Sequence, residues 1–299
     1  MRRVGVFVAI LCSLIVTGLT SALAQDATPT TDPALANYPD FEVTITDSSF
    51  DVSTNQVSAG YVLLTVTNST STATSAGILG PGAGQTMDDL VQAAATPAAG
   101  EDFPPFLYDA TVLGGPGDVD PGQSAQILVK IPAGDWAVFG EGDQPPTFFS
   151  AVEDADSNTT APDADFTLEL GDFYFAGPSE GVPSGSAIWE VTNTGKQPHM
   201  VVLAKVPDGT TEKQVLDTFT AEQSGTPVPG ALDPNQAQFS STGVLLLSSG
   251  ETMYLPTSFD AGTYVALCFV TDPATGQPHV MEGMVSVFQI GEGTATPTT

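Results

Sequence analysis

Four residues with metal-binding chemistry follow one another in the C-terminal part of the chain: His199, Cys268, His279 and Met284. Ten residues separate Cys268 from His279, and four more separate His279 from Met284. The chain has two histidines, and each follows the same dipeptide, in Gln197-Pro198-His199 and Gln277-Pro278-His279. Proline fixes its own φ and stiffens the approach to each imidazole, which suits a side chain that must be held in place. Taken singly, each residue has an ordinary reading. A histidine is commonly a loop or core residue satisfied by a hydrogen bond, and a free cysteine behaves as a small hydrophobe. Together they form a soft-to-borderline donor set. Three strong ligands in a trigonal plane with a weak axial methionine describe an electron-transfer copper site. The thiolate donates strongly to Cu(II), whereas thioether and imidazole tolerate Cu(I), so one ion cycles with little rearrangement. Met281 is a rival axial ligand with less reach than Met284, and Met200 reads as a strand side chain.

The redox compartment bears on the thiol. Arg2 and Arg3, an apolar run from Val4 to Val16 and the small-residue site Ala22-Leu23-Ala24 read as a signal peptide over residues 1–24. The run is too short for a membrane span, so the mature chain is expected to be exported, periplasmic or extracellular, with no span. Removal of the segment takes Cys12 with it and leaves Cys268 alone, so no intramolecular disulfide is possible. An odd cysteine in an exported protein suggests intermolecular pairing or a thiol with a function, and a metal-bound thiolate is protected from oxidation. The segment contains two arginines and no acid, so the formal charge of −29 becomes −31. Such a surface repels nucleic acid and anionic lipid and favours cationic partners.

The elements that must position these ligands are strands. Phe166-Thr167-Leu168-Glu169-Leu170 alternates apolar and polar residues as a half-buried strand does, and Met200–Ala204, Thr252–Leu255, Tyr264–Leu267 and Met284–Phe288 read the same way. An internal repeat preserves their order. Val66-Thr67-Asn68 returns as Val191-Thr192-Asn193, and Pro132-Ala133-Gly134-Asp135-Trp136 as Asp260-Ala261-Gly262-Thr263-Tyr264. Helix-like patches stand between them at Met87, Leu90, Val91 and at Val215, Leu216, Phe219. The expected organisation is a disordered linker at 25–37, a first domain at 38–152, a linker at 153–162, a second domain at 163–290 and a disordered tail at 291–299.

The second domain resembles the cupredoxins, the plastocyanin-like blue copper family. The resemblance rests on the segment Glu190–Val202, which looks like the family's first-histidine strand, and on Gly262-Thr263-Tyr264 followed by Cys268, His279 and Met284. It implies an all-β fold of two tandem Greek-key β-sandwiches, each with a short helix, and one mononuclear copper held by His199, Cys268, His279 and Met284. The gap from Cys268 to His279 is longer than in plastocyanin. Residues 269–277 must therefore form a compact turn, for which Asp272-Pro273 and Gly276 supply suitable chemistry. Matching the repeats places Thr74 opposite His199, Gly140 opposite Cys268 and Pro146 opposite His279, so the first domain is expected to be a metal-free copy that docks or covers the second.

The function expected is single-electron transfer with an unidentified, cationic redox partner, His279 being the electron portal at the sandwich end. The alternative is a copper-binding or structural cell-surface module without redox activity. An enzyme is not expected, because multicopper oxidases and nitrite reductases need further histidine-rich centres and both histidines are already assigned. No hydrolase elbow, zinc-protease pattern or phosphate loop is present either.

Overall fold

Short β-branched and aromatic runs broken by Gly and Pro pair laterally because alternate side chains are buried while the backbone bonds to its neighbours. The computed structural model describes residues 32–95, 103–140, 144–155, 157–178 and 182–291. In the first half the strands are β1 (Asp40–Ile45), β2 (Phe50–Val52), β3 (Gln56–Ser58), β4 (Gly60–Asn68), β5 (Ala76–Gly80), β6 (Thr111–Gly114), β7 (Ser124–Ile131), β8 (Gly134–Gly140) and β9 (Thr147–Val152). The second half repeats the series as β10 (Phe166–Gly171), β11 (Tyr174–Ala176), β12 (Val182–Pro183), β13 (Gly185–Asn193), β14 (His199–Val206), β15 (Gln238–Leu247), β16 (Thr252–Phe259), β17 (Gly262–Leu267) and β18 (Val285–Gly291). Helices at Met87–Ala94 and Glu212–Ser224 fall between the fifth and sixth strands of each series, each opened by a threonine capping box, at Thr86 and Thr211.

The registers confirm the internal repeat. β1 runs parallel to β4 with Ile45 opposite Asn68, and β10 parallel to β13 with Leu170 opposite Asn193. The two asparagines do the same work. Asn68 Nδ2 donates to the carbonyls of Thr72 and Val119, and Asn193 Nδ2 to those of Gln197 and Leu247. Each ties a strand end to the following turn and to a more distant stretch of backbone, the β6–β7 connection for Asn68 and the end of β15 for Asn193.

The two sandwiches share their sheets. One five-stranded sheet runs β3-β9-β8-β5-β6 and another β12-β18-β17-β14-β15, while the facing strands join into one eight-stranded sheet, β11-β10-β13-β16-β7-β4-β1-β2. The join is the antiparallel pair β16–β7, with Met253 opposite Val129 and Tyr254 opposite Leu128. A second join lies on the opposite layer, where Leu245 N–H donates to Gly115 O and Gly117 N–H to Gly243 O, flanking a bridge between Pro116 and Val244. Repeat-equivalent strands thus meet each other across both joins, as the two copies do across an isologous interface. One apolar core runs through both halves, containing Phe41, Ile78 and Ile127 as well as Trp189, Val201 and Cys268.

The outer face of the join is covered by a segment expected to be disordered. Of the 25–37 stretch, residues 25–31 lie outside the described residues, but 32–37 form turns and Leu35 is fully buried. Leu35 packs on Leu63, Leu128, Ile188 and Tyr254, the outward side chains of the four central strands. A composition rich in Ala, Thr, Pro and Asp hides one leucine that has an apolar seam to cover. The 153–162 stretch runs over the same seam, where Asn158 O accepts from Tyr61 N–H at 2.6 Å and Thr160 O from the Tyr38 hydroxyl at 3.0 Å. Leu35→Ala is expected to cost about 2–5 kcal/mol, read as a lowered denaturant midpoint. The signal at 1–24 and residues 292–299 of the expected tail also lie outside the described residues, whereas Gly291 belongs to β18.

Candidate metal centre

His199 opens β14, Cys268 follows β17, and His279 opens a short 3₁₀ turn, His279–Glu282, that leads through Gly283 to Met284 and β18. These strands are neighbours in one sheet, so its register brings the side chains together at one end of the sandwich. All four residues are fully buried. The Nδ1 atoms of His199 and His279 lie 3.1 Å apart, and Cys268 Sγ lies 3.9 Å from the first and 3.5 Å from the second. A point in their plane equidistant from the three lies about 2 Å from each, against metal bonds to imidazole nitrogen and thiolate sulfur of roughly 2.0–2.3 Å. The triangle has the size of a coordination shell.

The long gap between Cys268 and His279 is closed by a small antiparallel finger. His279 N–H donates to Val270 O and Asp272 N–H to Gln277 O, with a bridge between Thr271 and Pro278. Asp272 organises its tip. Its carbonyl accepts from Gly276 N–H, Oδ1 from Ala274 N–H, and Oδ2 from the Thr275 hydroxyl. At the base, Val280 N–H donates to Cys268 O and Met284 N–H to His279 O, which fixes the three residues in one frame. The first half reaches this finger too, because the Tyr108 hydroxyl donates to Thr271 O. Phe269 packs against Phe219 of the helix Glu212–Ser224, with ring centroids 5.5 Å apart.

Outer hydrogen bonds set both imidazole tautomers. Gln197 Nε2 donates to the carboxylate of Asp272 at 2.9 Å, which turns Gln197 Oε1 towards His279 Nε2 at 3.0 Å. A carbonyl oxygen accepts only, so His279 carries its proton on Nε2. His199 Nε2 faces Asp172 Oδ1 at 3.4 Å, which makes the same demand. Asp172 is itself held by the backbone N–H groups of Lys196 and Gln197. Gly195 is required for this approach, because a Cβ there would stand 2.5 Å from Asp172 Oδ1 and 2.6 Å from His199 Nε2. Two Nδ1 lone pairs and a sulfur then converge on one point, the arrangement that a metal cation would satisfy. Gln197→Ala is expected to lower metal affinity about 10–100-fold with the fold unchanged, read by competition with a chelator of known affinity.

Burial shapes the protonation of the cluster. The Cys268 thiol is pushed up to about 12 by desolvation, against the opposing pull of the Met200 and Val270 N–H groups. His279 is brought down to about 4 by burial and by the neighbouring His199, and His199 is lowered by burial against the pull of Asp172. Neutral imidazoles are the form that binds metal, and a thiol of this kind ionises when a cation compensates its charge.

The sequence-level expectations meet different outcomes here. His199, Cys268 and His279 converge as expected. The finger over 269–278 has the compact turn foreseen for it. Met284 shares the apolar cluster of Cys268, whereas Met281 packs in the separate cluster under the helix. His279 is not an exposed portal. Gln197 caps its outer nitrogen, and the Phe173 ring meets it edge-on with centroids 5.1 Å apart. Asp172, Phe173 and Tyr108 were missed by sequence reasoning. In the first half the equivalent positions hold Thr74 and Gly140, and a Cβ on Gly140 would stand 2.3 Å from the Ser75 carbonyl oxygen and 2.9 Å from the Phe50 ring, so the backbone and an aromatic ring leave no room for a thiol there.

No protein-family model and no curated protein matches the chain. Among solved structures it is similar to dithionite-reduced auracyanin from the photosynthetic bacterium Roseiflexus castenholzii, at 22% identity over 42% of this chain and 94% of that one, with a TM-score of 0.27. Auracyanin B is similar at 19% identity over 45% and 94%, TM-score 0.27, and a blue copper oxidase from Nitrosomonas europaea at 13% over 85% and 86%, TM-score 0.24. The tandem sandwiches and the buried His–Cys–His cluster agree with the cupredoxin resemblance of the second half. Two histidines and one cysteine with a buried thioether nearby are the donor chemistry of copper.

Proposed function

We propose that the chain is an exported blue copper protein that passes single electrons through one ion, which His199, Cys268 and His279 would hold with the Met284 thioether as a weaker fourth donor. The observation that carries this reading is the triangle of Nδ1, Nδ1 and Sγ at 3.1, 3.5 and 3.9 Å, with both tautomers preset for coordination. Copper supplies the one-electron couple. The residues of the chain supply a buried cage braced by hydrogen bonds, so a change of oxidation state moves few atoms. Asp172 and Gln197 hold the imidazole protons on the far side of both rings, and Asp272 holds Gln197. An acidic chain of formal charge −29 favours a cationic redox partner. No helix among the described residues is long and apolar enough to cross a membrane.

Titration with Cu(II) tests the proposal. An intense visible band saturating at one copper per chain is expected, and a colourless copper complex overturns it.

The full burial of His279 favours a second reading, a copper-holding module without electron traffic. Under the first reading a small reductant bleaches the blue protein rapidly and air or ferricyanide restores the colour. Under the second, copper stays bound while bleaching is slow.

A further inference from the structure

The core of the second sandwich is not filled. Between β10, β13 and β16 on one side and β14, β17 and β18 on the other lies a cavity of about 200 Å³, which reaches the surface beside the exposed residues Ala176 and Gly177. Its walls are largely apolar, with Val191, Val201, Leu203, Leu255, Phe259 and Phe288 among them. Thr257, Ala266 and Ser286 leave the room. By the strand registers the first half carries Val129, Val138 and Thr147 at the same places, and there Phe41 closes on Phe149 with centroids 4.7 Å apart.

One polar group in the wall has no partner. Trp189 is 5% exposed and packed among Phe166, Phe259 and Phe288, and its Nε1–H is buried without a hydrogen bond. A buried donor left unpaired is costly, and native structures rarely keep one without a reason. The Thr257 hydroxyl, which donates to Ala187 O, is not within hydrogen-bond reach of it. The equivalent of Trp189 in the first half is Leu64. The room and the donor therefore occur together in the half that bears the metal ligands.

We propose that this cavity binds a small, single-ring apolar molecule carrying one hydrogen-bond acceptor, whose oxygen accepts from Trp189 Nε1–H. An apolar cavity of roughly 150 Å³ already admits benzene, so the volume here takes a ring with a carbonyl-sized substituent. The apolar walls supply affinity, and the buried, unpaired indole donor selects oxygen-bearing ligands over plain hydrocarbons, since a polar group left unpaired discriminates more strongly than an extra methyl. The proposal stands apart from copper, because none of the cavity-lining residues named here is a metal ligand.

The test uses the full chain, metal-free, with Trp136→Phe so that Trp189 is the remaining indole. Trp136 belongs to the first half, where its Nε1 donates to Pro132 O. Acetophenone is titrated while the ¹⁵N-labelled indole N–H resonance is followed, with toluene as comparator. A saturable shift with acetophenone, at least about tenfold tighter than with toluene, is expected. Ala266→Val, which copies the first half, should remove it. Trp189→Phe, read by ligand relaxation, should bring acetophenone down to the affinity of toluene. No saturable shift overturns the proposal, as do equal affinities for the two probes or undiminished binding in Ala266→Val.

Discussion

Cys268→Ser is expected to abolish the visible band of the copper-loaded protein completely and to leave less than one copper per chain after gel filtration. The intensity of such a band comes from charge moving from a thiolate to the metal, and an alkoxide does not replace it. The thiol is pushed up to about 12 in the absence of metal, so the sulfur is a proton carrier that yields only to a cation. A serine hydroxyl ionises far less readily and leaves two neutral imidazoles to hold the ion. The substitution is close to isosteric, and the N–H contacts that Sγ accepts, from Met200 at 3.5 Å and from Val270, are open to a hydroxyl as well, so the fold should survive. Far-ultraviolet circular dichroism establishes that, and a retained band in a folded variant sinks the copper assignment.

The second large effect is in pH. Copper binding displaces the Cys268 proton, so apparent affinity should rise about tenfold per pH unit while the metal-free thiol stays protonated, which holds up to about 12. His279 lies near 4 and His199 below its ordinary value, so neither competes for protons at neutral pH. The slope between pH 6 and 8 should therefore be one proton per copper, about a hundredfold in affinity over that range. Calorimetry in buffers of different ionisation enthalpy counts the protons released. Release of none would mean a thiolate already ionised in the metal-free protein, and release of two or three would mean protonated imidazoles.

Much of the site was legible because copper ligands are rare side chains. With two histidines in the chain and Cys268 the one cysteine among the described residues, His199, Cys268 and His279 could be grouped by donor type and by resemblance, and strand alternation placed them at strand ends. The repeat was legible through Val-Thr-Asn, because Asn68 and Asn193 make the same two hydrogen bonds in the two halves. What was hidden is non-local. Asp172 lies 27 residues before His199 and approaches it only when β10 pairs with β13. The cap on His279 comes from Gln197, 82 residues away, and nothing in either Gln-Pro-His triplet announces that one glutamine serves the other histidine. Leu35 sits in a stretch whose average composition speaks for disorder, and a single apolar residue outweighs that average once a seam is there to receive it. Strand patterns also say nothing about which edges meet, so the joins β7–β16 and β6–β15 had no signal.

Those joins have a consequence for ancestry and for dissection. Strands of the same rank face each other about a local two-fold, with Pro116 bridged to Val244 and two backbone bonds that exchange roles between the halves. The chain is in effect a homodimer tied head to tail. The first half is free of metal duty, with the Ser75 carbonyl and the Phe50 ring crowding Gly140, while the edges it covers remain indispensable. A ligand-bearing half cut loose at 153–162 would bare both edges at once, and its natural mate would be another molecule of itself.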